Sequence, residues 1–181
     1  TGTITPEKLG VFLAGAIPEN AIVVDESITS GRTFPEATAA SRPHDWFNPT
    51  GGSIGWALPV ATGAAIACPD RTVIALESDG SGLYMPQTLW TQAREGVRVV
   101  TLILANRKYQ ILRHEMKNVG VEMVGDTAAT LLDLERPVVD WVSVSRGFGV
   151  PAESVETIEE LSAAYERALA ADGPALIEVV L

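Results

Sequence analysis

Two apolar runs, Thr72-Val-Ile-Ala-Leu76 and Val97–Leu104, flank a segment from Pro86 to Glu95 that has the opening proline of a helix. This strand-helix-strand order constrains the fold more than any other feature of the chain. Strands joined through a helix lie parallel, and the crossover is right-handed because a right-twisted strand packs back onto its sheet only that way. The pattern extends outward. Ala21-Ile-Val-Val-Asp25 is a short apolar run of the kind buried on both faces of a parallel sheet, and Ala175–Leu181 is another after the Gly173-Pro174 turn.

Helices are predicted from Thr5-Pro6 to before Pro18, over Leu58–Ala67, and over Asp140–Arg146 with Gly147-Phe148-Gly149 closing it. A further amphipathic helix is predicted over Val155–Ala171, where Ile158, Leu161, Tyr165, Ala168 and Leu169 recur at helical spacing. Residues 26–56 read as loops broken by a short segment around Pro35–Ala40, and Arg42–Pro49 reads as no strand. Beyond a short helix from about Tyr109, residues 107–139 show no clear period, and 113–139 read as either a flap over a site or a surface excursion. With no repeat or linker, residues 1–181 read as a single α/β domain: three-layer and doubly wound, with a mainly parallel sheet and helices on both faces.

Charge and cysteine content narrow the function. The chain has 13 Lys and Arg against 23 Asp and Glu, a net charge of −10, and its basic residues are scattered. Such a chain repels phosphate backbones and anionic lipid, so neither nucleic-acid nor membrane-surface binding is expected. The longest apolar stretches, Ala57–Cys68 and Val99–Ala105, fall short of the roughly 20 residues that span a bilayer. Cys68 is the only cysteine and cannot bridge within the chain, which points to a reducing, cytoplasmic setting. Thr1–Pro6 has neither an initiator Met nor the basic start of a signal peptide, as expected of a processed or excised chain.

Both central strands run into polar clusters, Glu77-Ser-Asp79-Gly80-Ser81 and Ala105-Asn106-Arg107-Lys108-Tyr109. In open α/β sheets ligands bind at that carboxyl edge, where the strand order switches. Asp79 and Asn106 are 27 positions apart, one strand-helix-strand repeat, so neighbouring strands bring them together. A carboxylate, an amide oxygen and a backbone carbonyl are hard oxygen ligands suited to Mg2+ or Ca2+, with positions left over for a phosphate-bearing ligand. Gly80 lets backbone amides approach an anion, and Ser81 adds a hydroxyl. The plainer alternative makes Asp79-Gly80 an ordinary turn and Asn106 a helix cap.

Ser78-Asp-Gly-Ser81, Tyr84, Gln87, Leu89-Trp-Thr91, an apolar strand, and then Asn106 with Tyr109 and Leu112 resemble the thiamine-diphosphate fingerprint. That motif opens Gly-Asp-Gly and closes Asn-Asn. Upstream, Gly51-Gly-Ser-Ile-Gly-Trp-Ala-Leu-Pro59 with Ala61 and Gly63-Ala-Ala is similar to the matching stretch of benzoylformate decarboxylase and of the acetolactate synthase large subunit. The resemblance runs over most of residues 20–181, through Arg146-Gly-Phe-Gly149 to the Gly-Pro-Ala-Leu-Ile-Glu ending. It implies the thiamine-diphosphate-binding fold and the pyrophosphate-binding domain of a 2-oxo-acid decarboxylase or acetolactate-synthase-like enzyme.

By position, the resemblance assigns Mg2+ to Asp79, the Asn106 side chain and the backbone oxygen of Lys108. Gly80, Ser81 and either Thr29 or Ser30 would touch the diphosphate of the cofactor. The carbonyl of Gly52 would receive the aminopyrimidine, Ile54 would bend the cofactor, and Ser53, Tyr109, Gln110 and Ile111 would complete its surroundings. Ile111, Leu112 and Glu115 fall where the family's substrate lining begins. The family's activating glutamate sits on a separate pyrimidine-binding domain, of the same or a second subunit, so the resemblance implies a homodimer or homotetramer acting on a small 2-oxo acid. Ser41–Phe47 lacks the Trp-Ala-Ala-Gln stretch of acetolactate synthases and leans toward the benzoylformate-decarboxylase branch. Two positions depart from the motif, Ser78 for its first Gly and Ala105 for its first Asn, and they leave open a decayed, non-catalytic binding or regulatory module on the same fold.

Gly51-x-Ser53-x-Gly55 also matches a hydrolase nucleophile elbow, which requires a strand immediately before it and a base such as His114. Dinucleotide and Walker A glycine motifs are missing from the sequence. Trp56, Trp90 and Trp141 read as core or interface aromatics, Cys68 as a small buried residue and His44 as a surface loop residue. Glu26 reads as either a solvated loop acid or a cofactor neighbour.

Overall fold

The computed structural model describes residues 1–121 and 125–181. Among them six strands form one sheet: β1 (Ile22–Glu26), β2 (Asp45–Phe47), β3 (Val73–Ser78), β4 (Val99–Ala105), β5 (Ala152–Val155) and β6 (Ala175–Val180). Their order is β2-β1-β3-β4-β6-β5, and every neighbouring pair is parallel. The helices are α1 (Pro6–Ala16), α2 (Phe34–Ala37), α3 (Ala57–Ala67), α4 (Asp79–Gly82), α5 (Thr88–Glu95), α6 (Gln110–Asn118), α7 (Asp126–Leu131), α8 (Trp141–Gly147) and α9 (Ile158–Ala170).

Alternation along the strands divides the core into layers. Val23, Ile74, Leu76, Leu102, Leu104, Ile177 and Val179 pack in one cluster with side chains of α1 and α9. Ile22, Val24, Val73, Ala75 and Val99 meet α3, while Ile103 and Leu176 meet α5 and α8. Burial on both faces is why these strands read as unbroken apolar runs. Polar side chains fix the helix ends. Thr5 and Asp140 accept N–H bonds from Lys8 and Ser143, and Thr157 with Glu160 forms a reciprocal capping box. Gly96, in the left-handed region at φ 62, closes α5.

Four elements differ from the sequence expectation, among them the short helix α7 in a stretch that showed no period. β2 occupies part of the Arg42–Pro49 stretch read as no strand. It is an edge strand of three residues, too short for a period, and Arg71 anchors it through Asp45 and the carbonyls of Asn20 and Ala21. β5 is a second edge strand, interrupted by polar Glu153 and Ser154, and it takes Val155 from the predicted helix, so α9 begins at Ile158. α4, a single turn beginning at Asp79, was not anticipated.

The chain runs from β1 outward to β2 and returns past β1 to β3, which places the topological switch between β1 and β3. After β4 it passes through α6 and α7, then returns so that Lys108 bridges Asp133. Residues 122–124 of the predicted flap or excursion lie outside the described residues.

Candidate functional site

One cavity opens at the carboxyl ends of β1, β3 and β4. The loop after β1 contributes Ile28 and Thr29, the turn before α3 contributes Ile54, and Ser78–Ser81 and Tyr84 come from the end of β3 and beyond it. Asn106 and Lys108–Leu112 complete the lining. The structure thus gathers Thr29, Ile54, Asp79, Gly80, Ser81, Asn106, Lys108, Tyr109, Gln110 and Ile111. Ser30, Gly52 and Ser53 are outside that lining.

Asp79 is the electrostatic centre. It is only 4% exposed. Its Oδ1 accepts the Gly80 N–H at 3.0 Å and its Oδ2 the Arg107 N–H at 2.6 Å. Burial nevertheless pushes its pKa up to about 6, against the pull of those N–H groups and with a push from Glu178. Among the described residues no Lys or Arg side chain forms an ion pair with it.

Asn106 and Lys108, which line the same cavity, offer two more oxygens. Asn106 Nδ2 donates to Ser30 Oγ at 3.4 Å, and its Oδ1 accepts the Lys108 N–H at 3.1 Å. Ser30 therefore orients the amide rather than facing the cavity. The Lys108–Asp133 bridge is closed by Tyr109 N–H to Leu132 O and Leu134 N–H to Arg107 O. In that pattern the carbonyl of Lys108 itself points away from the bridge, and it accepts no backbone bond among the described residues. Carboxylate, amide oxygen and unpaired carbonyl form the donor set that Mg2+ takes, with positions left for phosphate oxygens. Groups of three or more His, Cys, Asp or Glu suited to a metal do not occur among the described residues.

The main chain beside Asp79 is shaped for close approach. A Cβ on Gly80 would come within 2.7 and 2.9 Å of Tyr109 ring carbons, so the glycine lies flush against the ring. The Ser81 hydroxyl donates to Glu77 Oε1. Glu77 is fully buried, and burial first, then the charge of Glu26, raises its pKa well above the carboxylate range. Neither departure from the family motif strains the fold. Ser78 sits at φ −76, open to any residue, and its hydroxyl donates to the Glu26 carbonyl at 2.8 Å. Ala105 is buried in β4, where its carbonyl accepts the Leu181 N–H.

Glu26 and Cys68 sit differently from the sequence expectation, whereas Trp141 agrees with it. Glu26 is not a solvated acid: it is fully buried, with its carboxylate on the backbone of residues 55–57, and it is outside the cavity lining. Cys68 is half-buried rather than buried. Trp141 is a core residue, Trp56 is half-buried, and Trp90 is half exposed with Arg94 over its ring; none lines the cavity. The ring of His44 stacks edge-on with Trp46 and bonds the Arg42 carbonyl.

Sequence reasoning missed Ile28 and Tyr84 as lining residues. Ile28 adopts φ 50, a left-handed conformation costly for a β-branched side chain and invisible in the sequence. For Glu77 a signal existed, a lone acid within an apolar strand. The nucleophile-elbow reading fails because no strand lies immediately before Ser53. β2 precedes Ser53, but the 3-10 turn Thr50–Gly52 separates them, and the side chain of His114 pairs with Gln110.

Comparison with known proteins gives a consistent picture. Residues 30–179 match the family described as thiamine pyrophosphate enzyme, C-terminal TPP binding domain. The whole chain is 48% identical to 35% of a putative acetolactate synthase large subunit, IlvX, of Mycobacterium tuberculosis. Over 98% of its length it is 38% identical to 32% of benzoylformate decarboxylase of Pseudomonas aeruginosa. It thus spans about a third of the length of these curated relatives. Among solved structures, 98% of the chain superposes on 32% of the thiamine diphosphate-dependent 4-hydroxybenzoylformate decarboxylase of Rhodococcus jostii RHA1, with a TM-score of 0.84 and 34% identity. For benzoylformate decarboxylase from Polynucleobacter necessarius the TM-score is 0.81 at 27% identity.

Proposed function

We propose, from the premise that the chain belongs to the thiamine pyrophosphate enzyme family as its C-terminal TPP-binding domain, that it holds thiamine diphosphate through Mg2+ in a 2-oxo-acid decarboxylase or acetolactate-synthase-like enzyme. The observation that carries this reading is Asp79: a buried carboxylate at the strand end with no Lys or Arg ion-pair partner among the described residues, beside the Asn106 amide and a Lys108 carbonyl that accepts no backbone bond among them. These three would ligate the metal. Gly80 and Thr29 face the diphosphate, Ser30 orients Asn106, and Ile54 with Tyr109, Gln110 and Ile111 forms the wall on which the rest of the cofactor rests. Thiamine diphosphate, when bound, supplies the electron sink for carbon–carbon cleavage next to a carbonyl.

What the chain itself does is bind and orient. It neutralises the diphosphate with a metal rather than with cations of its own, which agrees with its charge of −10. The activating glutamate is expected from a pyrimidine-binding domain of the same or a second subunit, in a homodimer or homotetramer. The test is CO2 release from benzoylformate and from pyruvate by the protein that carries this chain, with thiamine diphosphate and Mg2+. Release abolished by Asp79→Ala supports the reading. Absence of release from every 2-oxo acid tried, with the cofactor bound, favours the non-catalytic module.

A further inference from the structure

Glu26 ends β1 with a fully buried carboxylate. It takes three backbone N–H groups from a different segment: Gly55 at 2.6 Å on Oε1, and Trp56 at 2.9 Å and Ala57 at 2.8 Å on Oε2. These amides precede or open α3, where a helix leaves its N–H groups without internal partners and carries partial positive charge. No side chain of α3's own cap residue serves them. The main chain of Glu26 is used as well, since its carbonyl accepts the Ser78 hydroxyl one residue before Asp79.

The turn that Glu26 holds has little else to fix it. Residues 50–54 are exposed, and Gly51, Gly52 and Gly55 all have positive φ. Gly55 packs so tightly on Tyr84 that a Cβ there would lie 2.6 Å from the Tyr84 Cβ. The turn nevertheless delivers Ile54 into the lining of the cavity that Asp79 shares.

We infer that Glu26 is a positioning residue, whose carboxylate fixes the Gly51–Ile54 turn relative to the Asp79 strand end so that the turn meets the organic part of the cofactor. The inference rests on the thiamine-diphosphate reading above. It separates two halves of recognition: the Asp79 end reads metal and diphosphate, and the Glu26-held turn reads what is attached to them. Glu26→Gln keeps the shape but sets an NH2 against an amide donor.

The experiment compares thiamine diphosphate with inorganic pyrophosphate, both with Mg2+, titrated into the full 181-residue chain. Glu26→Gln is expected to weaken thiamine diphosphate about tenfold while changing pyrophosphate by less than about twofold; Asp79→Ala loses both. Equal loss of the two probes, or no loss of either, overturns the inference. A wild-type chain that binds neither probe overturns the cofactor reading itself, whatever Glu26→Gln does. Should the variant not fold, amide exchange of the wild type decides. Gly55, Trp56 and Ala57 are expected to exchange slowly and to slow further with thiamine diphosphate but not with pyrophosphate. Rapid exchange at all three overturns the inference.

Discussion

Replacing Asp79 by Asn in the metal-free protein isolates the cost of keeping a carboxylate ready for a cation. Folding raises the pKa of Asp79 from 3.8 to about 6 because burial disfavours the charge. A carboxyl whose folded pKa is raised adds stability that is fully present below about pH 4 and is lost as pH climbs through about 6. At about 1.4 kcal/mol per pH unit, the gap amounts to about 3 kcal/mol lost between pH 4 and pH 7. Asn keeps one acceptor for the N–H groups of Gly80 and Arg107 and opposes the other with a donor, a cost of about 1–3 kcal/mol that does not vary with pH. The wild type should therefore be the more stable by about 1–3 kcal/mol at pH 4, and at pH 7 it should equal Asp79→Asn or fall below it by up to about 2 kcal/mol. Urea unfolding at both pH values reads this directly: with a slope of about 2 kcal/mol/M, the gap between the midpoints changes by about 1.5 M. Mg2+ with pyrophosphate should flatten the wild-type pH dependence and leave Asp79→Asn unmoved. A midpoint gap that stays constant from pH 4 to pH 7 would refute the assignment of the strain to Asp79.

Three further outcomes follow from the geometry. Lys108→Ala should keep Mg2+-dependent thiamine diphosphate binding within about threefold by calorimetry, because the backbone carbonyl and not the amine is the proposed ligand. Gly80→Ala forces a Cβ to within 2.7 Å of the Tyr109 ring, so a stability loss of about 1–3 kcal/mol by urea melting should accompany weaker cofactor binding. Trp141→Ala empties a fully buried site among Leu89, Ile103 and Leu176 and should cost about 3–5 kcal/mol in thermal or urea melts.

Much of this was legible because parallel strands buried on both faces are written as apolar runs, and β1, β3, β4 and β6 all carry that signature. The edge strands β2 and β5 do not: three or four residues with one exposed side leave no period to read. At the site, side chains that end central strands were found because position alone puts Asp79 and Asn106 at the carboxyl edge. The supporting contacts were not, because they join residues far apart in the chain. Glu26 serves amides about 30 positions away, and Ser30 reaches Asn106 across 76. The departure at Ser78 raises a question about backbone conformation that only φ answers, and the extended backbone there accepts any residue.

Asp79 and Asn106 are proposed to hold thiamine diphosphate through a divalent cation. Calorimetric titration of thiamine diphosphate into the chain, first with Mg2+ and then with EDTA, beside Asp79→Ala and Asn106→Ala, tests this proposal most directly. Heat present with Mg2+, absent with EDTA and absent in both variants is the expected result. Undiminished heat in EDTA, or in either variant, would contradict it.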